Sequence, residues 1–241
     1  MPKHYAISVV LPSFNEEANF EETVGKCLAA LRRLSDRPEV VIVDDGSTDG
    51  MPRMADALAA REPALRVIHN PINLGAGISL LVGMNAATGD LIAHDSMDYP
   101  FDLNDLEKAL PLFDDHDVVV MVRTDRAAHS NYRKITSWVH HKLVRLLFGT
   151  RLRDMNFVQV YRRDAVRRLT IKAKSPAFVT PEMLIRSQAA GLRVAEMDAV
   201  FHPRKKGVAS YGKPRDILWT LADMLAFWLE RRSTRAGKEG A

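Results

Sequence analysis

A chain of 241 residues with 46% hydrophobic side chains can bury a sizeable core as one large domain, which excludes a disordered or fibrous protein. Its 34 Lys and Arg against 30 Asp and Glu leave a net charge of only +4, too small a surplus for charge-driven nucleic-acid binding, so no nucleic-acid partner is expected. The lone Cys27 excludes an internal disulfide and a thiolate zinc cage, and favours a reducing compartment.

The N-terminal Met-Pro-Lys-His-Tyr runs into a strand-like segment without the charged and apolar pattern of a signal peptide, so a cytoplasmic location is expected. Residues 7–11, apolar but for Ser8, and 40–43, wholly apolar, are runs ended by polar residues, the pattern of strands buried on both faces. Between them, residues 17–34 place Ala18, Val24, Leu28, Leu31 and Leu34 at helical spacing, with Pro38 beyond the end; this is a βαβ unit. The alternation continues with a helix over 52–61, a strand over 66–69, a helix over 77–88, a strand over 91–94, a helix over 103–113 and a strand over 117–122. An α/β sandwich with a mostly parallel central sheet follows, and ligands of such sheets bind at the carboxyl ends of the strands.

After residue 122 the character changes. Basic and polar residues cluster over 123–134, and Ile135, Trp138, Val139, Leu143, Leu146 and Leu147 then mark an amphipathic helix ending at Gly149. A strand over 157–161, a helix over 181–190 ended by Gly191 and a strand over 193–201 precede a Lys/Arg/Gly loop. The apolar stretch 217–229 is shorter than the roughly 18 to 20 residues of a spanning helix and is interrupted by Asp223, so no transmembrane span is expected. From Ser233 the chain reads as a polar, frayed tail.

Three loops fall at strand ends: Pro12-Ser13-Phe14-Asn15-Glu16-Glu17, Asp44-Asp45-Gly46-Ser47-Thr48-Asp49-Gly50 and His94-Asp95-Ser96-Met97-Asp98. Any one of them is an ordinary turn and helix cap. Together they bring carboxylates to one edge of a parallel sheet, where they can accept hydrogen bonds from a base or ribose, or hold a hard divalent cation with phosphates.

The stretches SVVLPSFNEE (8–17), VIVDDGSTDG (41–50), NLGAGISLLVGMNAATGD (73–90) and RKKGVASYG (204–212) resemble family 2 glycosyltransferases of the GT-A fold, most closely the dolichyl- and polyprenyl-phosphate sugar synthases. The resemblance extends to about Tyr211. It implies a Rossmann-like three-layer α/β/α domain over 1–215, with a nucleotide-sugar half (1–122) and an acceptor half (123–215), followed by a C-terminal amphipathic helix and tail (216–241). It further implies a nucleotide-diphosphate sugar donor, GDP-mannose or UDP-glucose at family level, with Pro12, Phe14, Glu16, Asp44 and Asp45 at the base and ribose and Gly75 lining the cleft.

The family's Asp-x-Asp metal motif is altered here. The aligned positions are Ser96, Met97 and Asp98, with Pro100 where the polyprenol enzymes carry Gln. Asp98 is the expected ligand of Mg²⁺ or Mn²⁺, with Asp95 supplying a second carboxylate from one position earlier; a site where cationic side chains replace the metal is the alternative. By the same resemblance Arg123 and Arg133 act on the phosphates, Ser137 lies one turn after Arg133, and Arg204, Lys205 and Ser210 belong to a phosphate-binding loop. Preorganised cations suit a leaving diphosphate whose charge grows in the transition state.

A lipid-phosphate acceptor is already anionic and needs no base, whereas a hydroxyl acceptor would need one, for which Glu182 and Asp154 are the candidates. Glu182 also reads as a helix-start acid and Asp154 as a partner of Arg153 or Arg123. His140 and His141, adjacent on a helix, point about 100° apart and read as surface or interface residues. The 217–229 stretch suits a membrane surface, the core or a dimer seam. The function expected is inverting transfer of a hexose, mannose or glucose, to a polyprenyl or dolichyl phosphate by an enzyme peripheral on the membrane. Transfer to a soluble hydroxyl or amine, and a nucleotide-sugar-binding protein without catalysis, are the competing readings.

Overall fold

The computed structural model describes residues 5–124, 131–202 and 214–239. Seven strands form one sheet: β1 (Ile7–Ser13), β2 (Pro38–Asp44), β3 (Leu65–His69), β4 (Leu91–His94), β5 (Val118–Arg123), β6 (Gln159–Arg162) and β7 (Val194–Ala199). Their order is β3-β2-β1-β4-β6-β5-β7, and only β6 runs antiparallel to its neighbours. The order reverses direction around β1 and β4, the topological switch point at which open α/β sheets bind ligands.

The buried strands fill both faces. Val9, Leu11, Val40 and Ile42 point into one core beneath α1 (Glu17–Leu34) and α2 (Met51–Ala59). Val10, Val41, Val43 and Ile92 point into the other, with side chains of α3 (Ala76–Ala86), α5 (Asn131–Phe148), α7 (Pro176–Ala189) and α8 (Pro214–Glu239). This is the three-layer sandwich that a strand buried on both faces requires.

Some elements differ from the sequence reading. The helix expected over 103–113 is a 3-10 turn (Leu103–Asp105), a short α4 (Leu106–Ala109) and a second 3-10 segment (Leu110–Asp114). Pro111 has no N–H to continue the α ladder. A short α6 (Arg163–Arg167) follows β6 directly. Helix α7 begins at Pro176, so Pro181 and Glu182 sit in its interior rather than at its start. The boundary expected at 215/216 falls inside α8, which continues to Glu239 past the tail expected from Ser233. Its Met224 and Phe227 are buried, and the Phe227 ring stacks on Phe148 at 5.1 Å, so α8 is part of the second core layer. Each such side chain contributes about 1.5 to 3 kcal/mol on burial.

Candidate active site

Strand register brings the first three strand ends level: Ser13 of β1 pairs with Asp44 of β2, which pairs with His69 of β3. The loops beyond them are tied together. The Asn15 N–H donates to Ser47 Oγ at 2.9 Å, and the Thr48 N–H donates to Asn15 Oδ1 at 2.8 Å. Asn15 adopts φ 54°, one of the conformations Asn tolerates better than other residues. Pro12, Phe14 and Glu16 are half-buried along this edge, and Glu16 accepts from the Asn19 amide at 2.7 Å.

Asp44 and Asp45 are both buried and serve opposite neighbours. Asp44 accepts from the Ser47 N–H at 2.9 Å and lies 2.8 Å from His69 Nδ1, whose Nε2 is 3.1 Å from Asp56. Burial acts to raise the Asp44 carboxyl, but the hydrogen bonds from Ser47 and His69 outweigh it and hold it below its ordinary value. The Asp44 hydrogen bond in turn raises His69 above its ordinary value, against the effect of burial and with help from Asp56. Asp45 accepts from the Asn70 amide at 3.0 Å, the Leu74 N–H at 2.8 Å and the Gly75 N–H at 2.8 Å. It thereby pins the start of α3 to the end of β2. Gly75 takes φ 92°, and Gly46 at φ 71° lies so close to the 72–73 backbone that a Cβ there would sit 2.7 Å from the Ile72 carbonyl carbon.

Beyond β4, Asp95 accepts from the Ser96 N–H at 2.9 Å through Oδ1, while its Oδ2 is enclosed without a hydrogen bond. Burial pushes its carboxyl well above the ordinary range, against the Ser96 N–H bond and with a smaller push from the charge of Asp98. Asp98 is half-buried and accepts from the Ser96 hydroxyl. Two carboxylates on one turn, one with an orphaned oxygen, fit a divalent cation whose remaining ligands come from a substrate. Among the described residues no group of three or more His, Cys, Asp or Glu forms a metal cage. At the end of β4 itself, burial pushes His94 down to about 4 and keeps it neutral beside Gln159.

At the end of β5, Arg123 meets Asp154 through two parallel bonds, Nε to Oδ2 at 2.7 Å and Nη2 to Oδ1 at 2.9 Å. Its guanidinium also lies over the Phe157 ring at 5.2 Å. Asp154 is fully buried and accepts a further bond from the Asn156 N–H at 3.2 Å. His141 Nε2 lies 3.9 Å from Asp154, and its Nδ1 lies 2.8 Å from the Ser137 carbonyl one turn back on α5.

These contacts correct several expectations. His141 is not a surface residue but is buried against Asp154. Its neighbour His140 is enclosed at Nε2, and burial followed by the charge of His141 pushes it down to about 4. Asp154 cannot act as a free base, because Arg123 occupies both of its oxygens. Glu182, wholly buried, accepts from the Lys172 and Ala173 N–H groups, the latter at 2.6 Å, and from Arg186 Nε at 2.7 Å. It holds the 172–173 turn in place and is no better a base. The Arg133 side chain, and Arg204, Lys205 and Ser210 entirely, lie outside the described residues; Arg133 is placed only as part of the α5 backbone.

The sequence reading gives His69 and Asn70 no role and places Trp219 only within the apolar 217–229 stretch. His69 ends the strand expected over 66–69 and Asn70 follows it, so their position at a further strand end is a usable signal. Trp219 had none: its ring approaches Gly75 from α8, so that a Cβ on Gly75 would lie 3.4 Å from it.

With this geometry in hand, comparisons with known proteins add an independent line. A family model described as glycosyl transferase family 2 matches residues 8–170. The chain is 32% identical over 231 residues to glycosyltransferase AglD of Haloferax volcanii, covering 92% of this chain and 37% of that protein. It is 28% identical to a dodecaprenyl-phosphate galacturonate synthase of Rhizobium johnstonii, covering 96% and 69%. To an undecaprenyl-phosphate 4-deoxy-4-formamido-L-arabinose transferase of Aeromonas hydrophila it is 28% identical, covering 86% and 63%. The chain thus spans between about a third and about two thirds of these relatives' lengths. In fold it is similar to the glucosyl-3-phosphoglycerate synthase of Mycobacterium tuberculosis, solved with Mn²⁺, UDP and phosphoglyceric acid, with a TM-score of 0.67 at 21% identity over 93% of this chain and 78% of that one.

Proposed function

Because the chain belongs to glycosyl transferase family 2, its GT-A-like fold included, we propose that it moves one sugar from a nucleoside-diphosphate donor to a polyprenyl phosphate. The acceptor class follows the names of the relatives, which are polyprenyl-phosphate sugar transferases. Those names give galacturonate and a formamido-arabinose, so mannose and glucose have no special support as the sugar.

One observation carries the phosphate acceptor. Both carboxylates in line to act as a base, Asp154 and Glu182, are buried and occupied by donors. A phosphate monoester needs no proton removed before it attacks, so a site whose two candidate bases among the described residues are both occupied suits it better than a hydroxyl. In this proposal an acceptor oxygen bonds to the anomeric carbon on the face opposite the diphosphate. The bond from that carbon to the diphosphate oxygen breaks, its electron pair leaves with the nucleoside diphosphate, and the configuration inverts.

The chain's own residues divide this work. The Pro12 to Glu16 loop, tied through Asn15 to Ser47 and Thr48, presents the edge on which base and ribose lie, with Asp44 holding the Ser47 turn and Asp45 the start of α3 beside it. Asp98 and Asp95 would hold Mg²⁺ or Mn²⁺, which when bound neutralises diphosphate charge. Arg123 keeps its Nη1 donors for a phosphate oxygen while Asp154 fixes its plane through Nε and Nη2. Arg133 and residues 204–206 would, by the resemblance alone, add further positive charge; the Arg133 side chain and residues 204–206 lie outside the described residues.

The test is a transfer screen: purified protein with a panel of GDP- and UDP-sugars, Mg²⁺, Mn²⁺ or EDTA, with and without a short polyprenyl phosphate. A glycolipid product establishes the reading and names the sugar. Transfer to a soluble hydroxyl acceptor alone, or donor binding with no transfer, would replace it.

A further inference from the structure

Nine of the eleven large apolar side chains exposed among the described residues lie on two neighbouring helices, α5 and α8. On α8 the exposed positions from 217 to 229 are Ile217, Leu218, Leu221, Ala222, Leu225, Ala226 and Leu229, an unbroken apolar stripe about 18 Å long. Leu218 is 68% and Leu225 56% exposed. Soluble monomers rarely expose a contiguous face of this kind without a partner for it.

The charges around the stripe are sorted. Asp216, Asp223 and Glu230 form one row at seven-residue spacing, about 200° around the helix from Leu218 and Leu225. Two of them face the protein: Asp223 accepts the Lys174 and Ser175 N–H groups at the start of α7, and Glu230 pairs with Arg186 and Lys172. Arg215 and Arg232 stand exposed at the two ends of the stripe. On α5, which contains no Asp or Glu, exposed Ile135, Trp138, Val139 and Leu146 are interleaved with Lys142 and Arg145, and Lys142 lies over the Trp138 ring at 5.6 Å.

Resting on transfer to a lipid phosphate, we propose that the exposed faces of α5 and α8 dock the protein on an anionic bilayer. Apolar side chains enter the acyl boundary while Arg and Lys meet the headgroups, the arrangement of an interfacial amphipathic helix. A second copy is the poorer occupant, since a twofold interface sets this patch against itself and its Arg and Lys would face one another without acidic partners. The placement also serves the reaction. Helix α5 follows the end of β5 at Arg123, and Trp219 of α8 reaches Gly75 on the donor side, so a bilayer on this face borders the site.

The test is flotation of the full chain with vesicles of phosphatidylcholine alone or mixed with phosphatidylglycerol, without donor or acceptor. The protein is expected to float with the anionic vesicles. The double variant Leu218→Asp/Leu225→Asp is expected to lose at least about tenfold of that binding, with an unchanged melting temperature because both side chains are exposed. Trp138→Asp repeats the test on α5. No flotation, or flotation unaffected by these variants, overturns the proposal. So does a wild-type dimer in light scattering that the same substitutions split, which assigns the face to a second copy. Since flotation needs no turnover, a failed transfer screen with flotation intact removes the reaction alone, and transfer to a short soluble acceptor without flotation removes the docking face alone.

Discussion

From β1 to β4 the strand-end loops are cross-tied by backbone N–H groups donating to buried carboxylates and to Asn15, while from β5 onward the same edge rests on one buried arginine pair and two helices with exposed apolar faces. The first arrangement is a rigid, preorganised surface for a ligand of fixed shape, such as a nucleoside. The second orients charge and leaves an open surface, which suits an acceptor arriving from outside. One edge of one sheet thus serves two partners by different physics: hydrogen-bonded rigidity on one side, oriented cations and apolar exposure on the other.

The comparison breaks most sharply at Asp154. Replacing it by Ala leaves Arg123, 13% exposed, without its carboxylate, and removal of one partner from a buried pair costs about 3 to 5 kcal/mol. Asp154→Ala is therefore expected to shift chemical denaturation by that amount and to lower turnover with it. A variant with parental stability would show that the acceptor side does not depend on this pair. Asp98→Ala tests the boundary between the two regions. It removes a half-buried side chain from a turn, so the fold should hold while turnover falls about 100-fold or more, some 2.7 kcal/mol of transition-state stabilisation. Full turnover would end the metal role given to Asp98.

Asp45→Ala sharpens the donor side. It orphans the N–H groups of Leu74 and Gly75 and leaves the Asn70 amide with Ser79 alone as acceptor, at a cost of about 1 to 3 kcal/mol. Donor KM is expected to rise more than kcat falls, because the cleft wall loosens while Arg123 stays in place. A fall in kcat alone would move Asp45 out of the donor wall.

What could be read beforehand follows the same division. The apolar strands, the strand-end loops and the mostly parallel sheet were legible because each is coded within a few residues: 40–43 has no polar residue and 7–11 only Ser8, and the run Gly46 to Gly50 has the composition of a turn. Contacts that close across the fold were not. Nothing local to His141 tells that Asp154 lies beside it, and adjacency to His140 fixes only the angle of about 100° between the two side chains. Glu182 looked like a helix-start acid because Pro181 looked like a start, although the helix had begun at Pro176 and carries that proline inside. The 217–229 stretch left core, seam and membrane open since its composition is the same for all three. Only the fold separates buried Met224 and Phe227 from exposed Leu218 and Leu225.

The smallest effect concerns the tie between Asp44, His69 and Asp56, where the donor side meets solvent. The folded protein holds His69 above its ordinary value of 6.5, so its contribution to stability is fully present below about pH 6.5 and is lost as pH rises through the raised value. Asp44, held below its ordinary 3.8, contributes in the opposite sense: its share is present above about pH 3.8 and is lost as pH falls through the lowered value. His69 is 40% exposed, so solvent screening keeps its share under about 1 kcal/mol. Unfolding free energies of the parent and His69→Gln, measured from pH 5.5 to pH 8.5 (a range of about three units centred near the ordinary His value), should therefore converge as pH rises. Donor KM of the parent should rise over the same interval, because the neutral ring holds the Asp44 loop less firmly. Parallel stability curves would detach His69 from the donor wall and leave Ser47 as the support of Asp44.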